Sequence, residues 1–277
     1  MKLSKGIQYM FIASLVFSLM KVCVKQVSHI PAVEVIMFRS IISLSICVFF
    51  LWRQKVSFWG NNKKVLIMRG ASGAMALVLY FSLLQQIPLA AAASMQYLSP
   101  IFSAVLGVFI VREKVTWKQC LFFAISFAGA LVITGVDVRI GAIHLVTGVA
   151  AALFTGLAYN FVRKLKTSEH PLVIILYFPM VTLPIVGVAS YFLWVTPEGW
   201  DWMYLLLVGV STQIAQFFMT KSYQLEEIST VSIINYTGLL YSIAFGFVIF
   251  GETYEWLSYV GMALVIVGVI LNIKLKK

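Results

Sequence analysis

Ten stretches of this chain are apolar, nearly free of charge and long enough to cross a lipid bilayer. They run roughly over 6–27, 33–51, 66–84, 90–111, 118–136, 142–162, 171–194, 202–221, 228–250 and 256–273. A helix needs about 17–25 such residues to span the hydrocarbon. The connections between them are short, the longest being Arg53–Lys64, so no extramembrane domain is expected. Composition agrees: 61% of the 277 residues are hydrophobic and 11% charged, whereas a soluble domain carries about a quarter charged residues. The ten acidic residues lie at or near the ends of the apolar runs, where a bilayer tolerates them. The expectation is an all-α membrane protein of ten transmembrane helices.

A net charge of +11 invites a nucleic-acid reading, but the basic residues are dispersed in short loops between spans, which is how membrane helices are oriented. With the N-terminus inside, seventeen of the 21 Lys and Arg fall on the inner side, Arg69 counted among them. Lys21, Lys25, Arg39 and Arg139 remain for the outer side and outer helix halves. Both termini are therefore expected in the cytoplasm. Trp117, Trp194, Trp200, Trp202 and Trp256 fall near span ends, as interfacial aromatic belts do. Cys23, Cys47 and Cys120 lie inside apolar runs and form no metal or disulfide pattern. The first run is too long for a signal peptide and carries Lys21.

The chain also repeats itself. A shift of 139 positions matches Gln85 to Gln224, Tyr97 to Tyr236, Ser103 to Ser242 and Gly107 to Gly246. It matches Ile110 to Ile249, Glu113 to Glu252, Trp117 to Trp256 and Gly129 to Gly268. Two units follow, residues 1–140 and 141–277. Each has five spans, an odd number, so the second enters the membrane from the opposite side. Such inverted repeats place a binding site at the interface between them.

These residues resemble the EamA-type members of the drug/metabolite transporter superfamily over essentially the whole chain. The resemblance rests on Arg39 in VIMFRS, the Pro88-to-Ala93 entry into the fourth span and Tyr97-x-x-Pro100. It rests also on a Glu, a Trp four residues on and a Gly twelve further, as Glu113/Trp117/Gly129 and Glu252/Trp256/Gly268. Arg112 departs from it, standing where the family has a small residue and where the second half keeps Gly251. The resemblance implies ten helices around a central cavity, alternating access, a small organic metabolite or drug as cargo, and export.

Candidate cargo residues come from polar stripes on helix faces, because a polar group facing lipid costs free energy. Tyr80, Gln96, Tyr97, Tyr159, Asn160, Gln213, Gln216, Asn235 and Tyr236 supply aromatic rings and amides. Serines and glycines in the same stripes, among them Ser14, Ser18, Ser103 and Gly107, read as close helix contacts. Lys21 and Arg39 lie about six residues inside their spans, roughly 10 Å at 1.5 Å per residue. Each either snorkels outward, or for Arg39 pairs with Glu34, or lines the cavity. Glu113 and Glu252, at span ends, read as structural rather than proton-relaying. Gly70 and Gly209 are hinges or close contacts.

No HExxH, paired intramembrane carboxylates or clustered histidines are present, which disfavours an enzyme. The function expected is a secondary transporter of small organic metabolites or drugs, amphipathic zwitterions or anions such as amino acids or nucleoside-like compounds. A passive uniporter-like pore is the alternative. No cofactor is expected. The expected partners are the substrate and the lipid bilayer, with the chain a monomer or weak homodimer in the bacterial cytoplasmic (inner) membrane.

Overall fold

The computed structural model describes residues 3–86, 95–96, 98–134, 142–251 and 256–275. Tyr97, Pro88, Arg139 and Glu252, all named above, lie outside the described residues. The regular elements are helices: α1 (Lys5–Gln26), α2 (Ala32–Arg53), α3 (Lys63–Gln86), α4 (Ser99–Ile110), α5 (Trp117–Thr134) and α6 (Ala142–Lys164). Then come α7 (Pro171–Phe192), α8 (Asp201–Leu225), α9 (Ile228–Ile234), α10 (Thr237–Phe250) and α11 (Trp256–Leu275). Among the described residues, five are long and apolar enough to cross a membrane by strict length and composition: α1, α2, α6, α7 and α8.

Local sequence sets where these helices begin and end. The Ser4 side chain accepts from the Ile7 N–H to open α1, and His170 with Pro171 opens α7. Thr116 and Gln119 form a reciprocal capping box at α5, with the Thr116 N–H donating to Gln119 Oε1 at 2.9 Å and the Gln119 N–H to Thr116 Oγ1 at 3.3 Å. Arg112 ends α4 at φ +58°, and Gly251, its equivalent across the 139-residue shift, ends α10 at φ +64°. Both turns need the left-handed region, which suits glycine and strains arginine.

The chain's surface is reversed relative to a soluble protein. Large apolar side chains such as Phe109, Tyr191 and Val248 point outward, while Ser40, Arg39, Arg69 and Thr182 are buried. All seven tryptophans are exposed and sit at helix ends or in the turns beside them. That arrangement is stable only where lipid is the solvent.

Helix packing repeats across the 139-residue shift. Helix α1 packs on α8, and their equivalents α6 and α3 pack on each other; α4 packs on α6 as α10 does on α1. Helices α2 and α7 are equivalents that pack together, as are α5 and α11. A Cβ at Gly129 would stand 2.6 Å from the Gly261 carbonyl oxygen, and one at Gly268 would stand 3.1 Å from that of Phe122. Those two contacts are equivalents under the shift, and together they run α5 and α11 antiparallel.

Two expectations need correction, and one that was left open is narrowed. Span nine is not continuous: α9 ends at Ile234 and α10 begins at Thr237, with the Tyr236 and Gly238 N–H groups closing short turns on Ile233 and Asn235. Arg69 is not a loop residue; it sits in the second turn of α3 and is 3% exposed. Gly70, left open between hinge and contact, is a contact: a Cβ there would lie 2.6 Å from the Tyr177 carbonyl oxygen.

Candidate functional site

A cavity of about 220 Å³ lies among α1–α4, α6–α8 and the α9–α10 break. Its walls include positions that are equivalent across the shift: Arg39 with Phe178, Leu77 with Gln216, Gln96 with Asn235, and Ser99 with Gly238. A pocket lined by equivalents from both halves lies between the halves. Asn235 reaches it at the α9–α10 break, where the helical ladder is interrupted.

Of the residues singled out from sequence, Tyr80, Gln96, Tyr159, Gln216, Asn235, Arg39 and Lys21 line this cavity together. Gln96 donates from Nε2 to Thr155 Oγ1 at 3.2 Å, and its Oε1 has no partner among the described residues. Tyr159 stacks on Tyr223 with ring centroids 4.8 Å apart. The others lie elsewhere. Asn160 is fully buried and donates to the carbonyl oxygens of Ser103 and Gly156, both at 2.9 Å, joining α6 to α4. Gln213 accepts from Ser43 and donates to Cys47 Sγ, joining α8 to α2. Tyr236 is fully buried in the apolar core.

Arg39 does not pair with Glu34, whose Oε2 accepts from the Val195 N–H at 3.0 Å. Its guanidinium instead lies 5.3 Å from the Phe178 ring centroid, and that of Arg69 lies 5.2 Å from the same centroid. Arg69 also donates to Gln216 Oε1 at 3.3 Å. Sequence reasoning missed Arg69 and Phe178. Arg69 falls only three residues inside the run 66–84, against six for Arg39 in 33–51, and the small residues Gly70, Gly73 and Ala74 beside it are a sequence sign of a packed face.

One end of the bundle is tied together across helices. The Glu113 carboxylate receives Arg163 Nε and, at 2.7 Å, the Ile228 N–H, while Arg163 Nη1 donates to the carbonyl oxygens of Tyr223 and Gln224. This ties α4, α6, α8 and α9 at one level. Beside it, Gln224 Nε2 donates to the Glu169 carbonyl oxygen, and the Glu169 carboxylate receives the Asn61 and Asn62 N–H groups. Most of the buried apolar core, including Leu51, Leu66, Leu165 and Ile174, packs around the same end.

Among the described residues, a helical bundle with an apolar exterior and an internal cavity that carries polar side chains defines an integral, multi-pass membrane protein. The family comparison agrees: the model of the EamA-like transporter family matches residues 4–135 and again 142–274, and the chain belongs to that family. It is a transporter rather than an enzyme. It is similar to the pseudopaline exporter CntI of Pseudomonas aeruginosa, 28% identical, over 99% of this chain and 98% of that protein. Human solute carrier family 35 member G1 is 25% identical over 95% of this chain and 77% of its own length. The S-adenosylmethionine uptake transporter of Rickettsia prowazekii is 22% identical over 81% of this chain and 77% of that protein. A solved crystal structure shares the fold at a TM-score of 0.87 and 17% identity, covering 99% of this chain and 98% of that one.

Proposed function

We propose that this chain is a secondary carrier that moves a small amphipathic organic metabolite by alternating access. It crosses the membrane ten times, as inverted five-helix units over 1–140 and 141–277. The antiparallel α5–α11 contact supports the inversion, because equivalent helices running in opposite directions require it. Both termini face the cytoplasm of a bacterial inner membrane; sixteen of 21 basic residues still favour that side once Arg69 is moved into the cavity. The tied end is then cytoplasmic and the cavity faces outward in this state. The cavity is lined from a single chain, so a monomer or weak homodimer suffices. Export is the direction named for the relative that matches at full length.

Tyr80, Gln96, Tyr159, Gln216, Asn235, Arg39 and Lys21 form the cargo site in this reading. The observation that carries it is the cavity on the seam between the two units. Its volume lies below the roughly 300–1,000 Å³ of pockets for drug-sized ligands, which favours a compact metabolite. The test is counterflow in proteoliposomes loaded with a metabolite extract and read by mass spectrometry. A carrier releases selected solutes faster when the same solute is present outside. Release without such trans-stimulation would make the protein a pore, and no protein-dependent release would end the reading.

A further inference from the structure

The cavity wall carries Lys21, Arg39 and Arg69 and, among the described residues, no Asp or Glu. Arg39 is 7% and Arg69 3% exposed. Arg39 Nε and Arg69 Nε and Nη1 have no hydrogen-bond partner among the described residues. Burying a guanidinium without a counter-charge is unfavourable, and setting a second beside the same phenyl ring adds like-charge repulsion. Phe178 offsets part of this with its ring face, and Gly73 leaves the room: a Cβ there would come within 3.0 Å of Arg69 Nη1. All three cations come from the first unit. Their equivalents in the second are Asn160, Phe178 and Val208, so the polarity of the cavity is not a by-product of the repeat.

We propose that the cavity takes a small organic dianion carrying two oxyanion groups. One group sits between Arg39 and Arg69, which present unused N–H donors over Phe178, and the other faces Lys21. A guanidinium matches carboxylate and phosphate alike, so the shared chemistry is an oxyanion pair on a compact skeleton. Gln96 and Asn235, one from each unit, are left to read the uncharged part of the molecule. The inference rests on this cavity being the cargo site and narrows which cargo it takes.

The test is thermal melting of the full-length chain in uncharged detergent at constant ionic strength. The probes are succinate, 3-phosphoglycerate, butyrate and succinamide. Succinate or 3-phosphoglycerate should raise the melting midpoint by several degrees, which a ligand at saturating concentration achieves, while butyrate and succinamide should not. A response to succinate alone assigns dicarboxylates; a response to 3-phosphoglycerate alone assigns phosphorylated acids. Arg39→Gln and Arg69→Gln should each weaken the response about tenfold or more. Their unliganded midpoints should stay equal or rise, because an uncompensated buried charge has been removed. The exposed Arg53→Gln should behave as wild type. Silence toward both dianions, an equal response to succinamide, or intact responses in both arginine variants would overturn the proposal. Proteoliposomes that release only neutral or cationic solutes would overturn it and leave the carrier standing. Dianion binding without any release would do the reverse.

Discussion

Arg112 holds a backbone conformation that its equivalent Gly251 adopts freely, and its side chain is exposed. Arg112→Gly should therefore raise stability by about 1 kcal/mol, seen as a higher melting midpoint in detergent. An unchanged or lower midpoint would mean that the exposed side chain contributes more than the turn costs. The Glu113–Arg163 pair makes an opposite prediction. Its side chains are only 14% and 9% exposed, and Glu113→Ala strands a buried guanidinium. The loss should be about 3 kcal/mol, checked by the same melt. In the alternating-access reading, the variant should also let a cysteine reagent reach Asn235→Cys more readily from the tied end. Glu113 was legible as a span-end carboxylate. Its partner was not, because Arg163 lies fifty residues away in sequence and only the packing of α4 on α6 brings them together.

Among elements, the α5–α11 pair shows what the repeat means physically. Gly129 and Gly268 were visible as matched glycines, but only the packing reveals that each lies against the other's helix. Gly129→Val would drive a side chain into the Gly261 backbone and should cost about 1–3 kcal/mol. Gly187 is the control: a Cβ there meets nothing within 4 Å, and Gly187→Ala inside α7 should stabilise by up to about 1 kcal/mol. Equal effects from the two changes would show that backbone propensity rather than close contact governs both. The break between α9 and α10 was hidden because Asn235-Tyr236-Thr237 contains neither proline nor a run of glycines. An apolar pattern cannot tell a straight span from one whose ladder opens onto a cavity, since the same residues stay out of lipid in both cases.

For the whole molecule, the proposed topology can be read from outside. In a cysteine-free background, Ser28→Cys and Glu198→Cys should react with an impermeant thiol reagent on intact cells. Lys64→Cys and Lys166→Cys should react only after permeabilisation. All four positions are exposed, so a uniform pattern would break the topology rather than reflect burial. The sequence by itself determined the solvent, the helical class and the two-fold repeat. Those follow from which residues lipid excludes and from a register that survives in one dimension. It also pointed to amides and aromatics at matched positions, and Gln96 and Asn235 do line the same cavity. Only the tertiary structure decided which polar side chains line the cavity and which lie away from it. Asn160 and Gln213 have the same chemistry as Gln96 and Gln216, but they bond between helices away from the cavity wall. Only the tertiary structure turned Arg69 from an orienting charge into half of a cation pair, because that depends on how α3 is rotated against α7, and no spacing within one helix encodes the rotation of its neighbour.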